Sequence, residues 1–126
     1  MPKRILNALY LGAALTLAGT AQAVEGQDFD QGLLAAERGD YRHALQYWAP
    51  LALAGDAAAQ FNLGLLLHSG AAGRWDERAA IEWYQRAAEN GHPLAQAYLA
   101  AGYREGWFGL PRNEEQARYW EQRLAH

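Results

Sequence analysis

Nucleophilic catalysis needs an activated side chain held beside a base, and beyond residue 23 this chain offers almost no candidates. It has no cysteine, threonine or lysine there, and one serine, Ser69, in the run Ser69-Gly-Ala-Ala-Gly73. His68 precedes Ser69 directly, but adjacent residues on a helix point to different sides, so the two do not read as base and nucleophile. The histidines His43, His68, His92 and His126 stand 24 to 34 residues apart, with no His-x-x-x-His pair. Zinc sites usually draw on closely spaced ligands, so no metal site is expected. The carboxylate pairs Asp76-Glu77 and Glu114-Glu115 fall where helices should begin, and there they complement the helix dipole without any acid–base task. Gly70-Ala-Ala-Gly73 lacks the Lys-Ser/Thr that completes a phosphate loop. The chain therefore reads as a non-enzyme without metal or cofactor.

The elements that would position a binding surface announce themselves by repetition. At an offset of 36, Gly55-Asp-Ala-Ala-Ala-Gln-Phe-Asn-Leu63 falls on Gly91-His-Pro-Leu-Ala-Gln-Ala-Tyr-Leu99, and Gly70 falls on Gly106. At an offset of 37, Asp76-Glu-Arg-Ala-Ala-Ile-Glu-Trp83 falls on Asn113-Glu-Glu-Gln-Ala-Arg-Tyr-Trp120, while Asp40-Tyr-Arg-His-Ala-Leu-Gln-Tyr-Trp48 is an earlier copy of the same half. A period of this length signals stacked helical hairpins. Six helices are expected, near 28–38, 40–54, 56–69, 76–89, 93–105 and 113–125. Gly39, Gly55 and Gly91 are placed to end helices in the left-handed conformation, Asp40, Asp56 and Asp76 to cap the next ones, and Asn113 through Gln116 reads as a capping box. Pro93 suits a first turn, whereas Pro50 lies inside a helix and should bend it. Ala59, Gly64, Ala80, Ala88, Ala95 and Ala117 leave room for neighbouring ridges that Leu63, Leu67, Ile81, Leu99 and Tyr103 fill. Trp83, Tyr84, Tyr119 and Trp120 are expected as aromatic wedges between hairpins.

This pattern, Gly-Asp-x-x-Ala-Gln-x-x-Leu-Gly, then Gly-x-x-Gly, then Asp-x-x-x-Ala-x-x-Trp-Tyr-x-x-Ala-Ala-x-x-Gly, resembles the Sel-one-like repeat (SLR), a relative of the tetratricopeptide repeat. Residues 55 to 90 fit it closely. The following copy is looser, with Ala100 in place of glycine and the aromatic pair Tyr119-Trp120 displaced by one. The resemblance implies an all-α fold, an α/α right-handed superhelical solenoid of three hairpins at about 28–54, 55–90 and 91–126, acting as an adaptor for other proteins. It also implies that the first helix of each pair lines a concave groove. On that face Asn62 and Leu66, then Tyr98 and Glu105, become candidate partner-binding residues, with Asn62 and Tyr98 equivalent at the centre. A second candidate is the loop Glu105-Gly-Trp107-Phe108-Gly-Leu-Pro111, where two large aromatics either cap the solenoid's end or form a hot spot for a partner.

Residues 1–23 read as a targeting segment that belongs outside the fold: Lys3 and Arg4, an apolar stretch from Leu9 to Ala18, and Ala21-Gln-Ala23 before Val24. No cysteine follows, so no lipid anchor is expected, and the mature protein would be periplasmic or secreted, an exported bacterial member of the family without membrane insertion after cleavage. From Val24 on there are nine basic residues against fourteen acidic ones, a formal charge of −5. Such a surface disfavours nucleic acid and anionic lipid. The absence of cysteine departs from disulfide-stapled SLR proteins, whose special activities are not carried over. The leading reading is an adaptor that holds a peptide or protein partner and regulates a cell-envelope enzyme or sensor. Against it stand a cell-envelope hydrolase acting on peptidoglycan or a β-lactam, and a structural subunit of an export or envelope complex. Exposed terminal stacking faces also allow weak end-to-end homodimers.

Overall fold

The computed structural model describes residues 20–107 and 109–124. Among these residues six helices follow one another without a strand: α1 (Thr20–Glu37), α2 (Tyr41–Leu53), α3 (Ala57–Ser69), α4 (Glu77–Glu89), α5 (Pro93–Glu105) and α6 (Glu114–Leu124). Packing runs chiefly between helices consecutive in sequence, which makes an α/α solenoid of three hairpins, α1/α2, α3/α4 and α5/α6. The expected boundaries hold to about one residue except at the start. There α1 already includes Thr20, the first described residue, rather than starting near residue 28; Thr20-Ala-Gln-Ala-Val-Glu contains nothing that breaks a helix. Of the expected targeting segment, residues 1–19 lie outside the described residues.

One joint recurs at the three tight turns, α1/α2, α2/α3 and α4/α5. Gly39, Gly55 and Gly91 take φ of 78°, 102° and 89°, a conformation glycine adopts without steric cost. Each closes its helix in a Schellman motif: Gly39 N–H donates to Ala36 and Asp40 N–H to Ala35, with the same pair of bonds at Gly55-Asp56 and Gly91-His92. The residue after glycine then caps the next helix, Asp40 accepting from His43 N–H, Asp56 from Ala59 N–H and His92 from Ala95 N–H. The loop joints use Asp76 and Asn113, which accept from the amides of Ala79 and Gln116. Pro50 does not end its helix, for α2 continues to Leu53.

The repeat's glutamine locks the joints from inside. Gln60 Nε2 donates to Ala52 O and Gln96 Nε2 to Ala88 O, each at 3.0 Å and each buried. Gln60 Oε1 also accepts from Asn90 at 3.0 Å, so one amide ties α2, α3 and the end of α4 together. Such a buried, satisfied amide contributes about 1 kcal/mol per bond and fixes the angle between helices.

Within hairpins, a small residue on the first helix faces an aromatic on the second. A Cβ on Gly64 would stand 2.6 Å from the Tyr84 ring, and one on Gly32 would stand 2.2 Å from Trp48 Nε1, whose N–H donates to Phe29 O. Tyr84 and Trp48 are fully buried and Trp120 nearly so. The aromatic pairs are thus 47/48, 83/84 and 119/120, spaced by 36 throughout, and Tyr119-Trp120 is not displaced. What shifts by one is the start of α6, and Ala117 reaches Trp120's face in three residues where Ala80 reaches Tyr84's in four. Both spacings lie on one side of a helix. The first member of each pair does not fill the core: Trp83 is half-buried, and Tyr119, expected as a wedge, is 45% exposed. Ile81 and Tyr103 are also only half-buried.

Gly64→Ala should therefore lower stability even though alanine favours a helix by about 1 kcal/mol. The Tyr84 ring is enclosed and cannot swing away, so overpacking outweighs that gain and leaves a net loss of about 1–2 kcal/mol. Urea unfolding of the variant should show the lower midpoint with an unchanged slope.

Candidate partner-binding surface

α3 is apolar on every side, and a helix of that kind is covered on every side. Ala58 through Leu67 are all buried, including Asn62 and Leu66 at 0% exposure. This corrects the expected groove. Neither residue is offered to a partner, because the sequence around them, Phe61-Asn-Leu-Gly-Leu-Leu-Leu67, leaves no polar face for solvent. Tyr98, the repeat-equivalent of Asn62, is half-buried in a seam of rings between hairpins. It meets Phe61 edge-on at 5.3 Å and Tyr84 edge-on at 5.6 Å, and burial raises its phenol above the ordinary pKa. Tyr84 is raised further by the same cause, with Tyr98 adding to it. His68 stands at the seam's edge, its Nδ1 3.2 Å from the Tyr84 hydroxyl. Burial lowers its pKa, and Glu77 partly counters this.

Ser69 is occupied by the end of its own helix. Its hydroxyl donates to Leu66 O at 3.3 Å and accepts from Ala71 N–H at 3.2 Å. Among the described residues no three His, Cys, Asp or Glu side chains gather as a metal site would require. No described helix is long and apolar enough to cross a membrane.

The two most exposed tryptophans lie instead along the edge where the loops joining first to second helices emerge. Trp107, which follows the left-handed Gly106 after α5, is 49% exposed, and Glu105 before it is exposed. Phe108 lies outside the described residues. In the neighbouring loop Trp75 is 65% exposed, and sequence reasoning passed over it. Its signal was a lone large aromatic in the polar stretch Gly73-Arg-Trp-Asp76, just before a cap. The two loops border the same hollow of about 630 Å³, lined by Trp75, Asp76, Glu77, Arg78, Ile81 and Glu82 with Gly109 of the second loop. A shallow hollow with an aromatic wall suits a side chain of another protein better than an enclosed small molecule.

The Sel1 repeat model matches residues 29–56, 57–92 and 93–125, and each match coincides with one hairpin. The chain belongs to the Sel1 repeat family. Sel1 repeats generally mediate protein–protein interactions, which agrees with a scaffold whose only serine caps a helix. No curated protein and no solved structure matches the chain.

Within this Sel1 fold one joint is chemically distinct. His92 occupies the place of Asp40 and Asp56, stacks on Phe61 at 4.5 Å and 19°, and is 4% exposed. Its Nδ1 accepts from Ala95 N–H at 3.3 Å, so the capping ring must be neutral. Burial pushes its pKa down to about 4, with Asp56 acting weakly the other way. Between that value and the ordinary one near 6.5 the unfolded chain binds more protons, so stability falls as pH falls. Below about 4 both states are protonated and this group's loss is complete, at no more than about 3 kcal/mol. A His92→Asn variant keeps a capping acceptor without the titration. Its melting temperature should fall less than the wild type's between neutral pH and pH of about 4.5, and parallel curves would refute the assignment.

Proposed function

We propose that this chain is an exported adaptor whose loop edge, carrying Trp75 and Trp107, holds a protein or peptide partner. The observation that carries the reading is the exposure of these two tryptophans, 65% and 49%, on adjacent loops of a fold whose interior is otherwise closed. Tryptophan is enriched at binding hot spots, and large rings left in water favour a partner that covers them. Glu105, exposed at the end of α5 beside Trp107, belongs to the same edge. Tyr98 supports it from within by packing on Phe61 of α3 and Tyr84 of α4. The leader-like residues 1–23 support delivery to the periplasm or beyond, and regulation of a cell-envelope enzyme or sensor is the role that suits an exported adaptor without its own nucleophile.

Trp75→Ala and Trp107→Ala remove exposed rings, so their effect on stability should stay within about 0.5 kcal/mol. In affinity capture from envelope extract, the wild type should recover a partner that the double variant loses. Equal recovery by both would overturn the loop-edge assignment. The exported product should begin at Val24 by N-terminal sequencing, and a product retained inside the cell with residues 1–23 intact would overturn the proposed address.

A further inference from the structure

The outward face of α6 has a charge pattern that is complementary to itself. Ala117 and Trp120 point into the core, which leaves Glu115, Tyr119 and Gln122 along the opposite stripe, with Gln116 and Arg123 beside it. Tyr119 is 45% exposed, whereas its counterpart in the preceding hairpin, Trp83, is packed against the core. Two adjoining hollows flank the Tyr119-Gln122 ridge, one bounded by Gln96 and Arg123, the other by Glu115, Gln116 and Arg118. Arg118 and Arg123 are both exposed on this helix, and neither forms an ion pair among the described residues. Arg123 lies over the rings of Tyr119 and Trp120 at 5.4 and 5.7 Å and donates to the Tyr119 hydroxyl, while the ion pairs of this hairpin join Arg104 to Glu114 and Glu121. Glu115 takes part in none of them.

We infer that the chain pairs with a second copy of itself through α6, two such helices lying antiparallel about a twofold axis at Tyr119. Four residues separate Tyr119 from Glu115 on one side and from Arg123 on the other, so antiparallel pairing sets each Glu115 against the partner's Arg123. By the same symmetry Gln116 meets Gln122, and the two Tyr119 rings stack at the centre. A closed twofold contact requires this self-matching, and a face of mixed charge with an aromatic middle provides it. A parallel arrangement would set like charges together. The contact area of a helix this short lies at the low end for a stable interface, so the dimer is weak, with a dissociation constant of about micromolar or above. The inference goes beyond the adaptor reading and uses none of the loop-edge residues. It leaves Trp75 and Trp107 open to a partner.

Sedimentation equilibrium of the full chain over a wide concentration range tests it. The wild type should show a monomer–dimer equilibrium. Glu115→Arg and Arg123→Glu, each placing like charges together twice in the dimer, should weaken pairing about tenfold or more. The combined Glu115→Arg/Arg123→Glu variant restores the attraction with signs exchanged and should return to within about threefold of wild type. Tyr119→Glu should abolish pairing. All three positions are exposed, and melting curves serve to verify that each variant folds. A chain that stays monomeric at the highest concentration would overturn the proposal. So would a dimer indifferent to all four variants, or one that the charge exchange fails to rescue, because pairing would then use another face or register.

Discussion

The structure depends on a constraint two residues long: a glycine in the left-handed conformation followed by a residue that ends one helix with its N–H and starts the next with its side chain. Gly39-Asp40, Gly55-Asp56 and Gly91-His92 perform both tasks with no residue to spare. A turn this short fixes the angle between helices, and a fixed angle repeated along the chain makes a solenoid. The thirteen-residue lengths shared by α2, α3, α4 and α5 keep successive layers in register. Gln60 and Gln96 can then reach the same carbonyl position each time. Without the joint, the buried amides would have no acceptor to meet, and Gly64 would have no ring to face.

Repetition sets the frame, and the departures from it give the protein its individual chemistry. His92 takes an aspartate's place and brings a stacking surface as well as a cap. Phe61 stacks on it and in turn meets Tyr84 and Tyr98, so hairpins two and three join through rings as well as through the Gln96 amide. A neutral ring in that position suits a dry seam, and a carboxylate there would be costly to bury. The same replacement makes this joint lose stability in the acid range just below the ordinary histidine pKa. Loops vary more freely because they contribute least to the joints, and there the chain carries Trp75 and Trp107.

Function on such a scaffold resides in the surfaces the repeat leaves open. The middle hairpin has few, since α3 is covered throughout. Openness is concentrated at the loop edge and on α6, which has no following helix among the described residues. These surfaces differ in character: the loop edge carries two exposed tryptophans beside charges of both signs, whereas α6 sets charges around one tyrosine. An adaptor that doubles itself through one surface while holding a partner on the other would present two partner sites at once, and linked sites gain apparent affinity without any new contact.

Local chemistry was legible in the sequence. The helix ends, the left-handed glycines, the caps at Asp40, Asp56, Asp76 and Asn113 and the three-hairpin solenoid follow from a few neighbouring residues each, because a cap or a turn is satisfied within one helical turn. The family could be read for the same reason, its signature being those joints and the small residues between them. Burial was decided by tertiary structure. Asn62 and Leu66 sit where a groove lined by first helices should open, yet α3 is enclosed, and the stretch from Phe61 to Leu67, apolar but for Asn62, was the sign of it. Tyr119 looked like a core wedge beside Trp120, but which of two adjacent aromatics turns inward depends on how the whole helix is rotated against its neighbour. Trp75 gave no periodic signal because it belongs to no helix. Exposure is a sum over everything packed around a residue, and a chain read one neighbourhood at a time contains the terms of that sum without their arrangement in space.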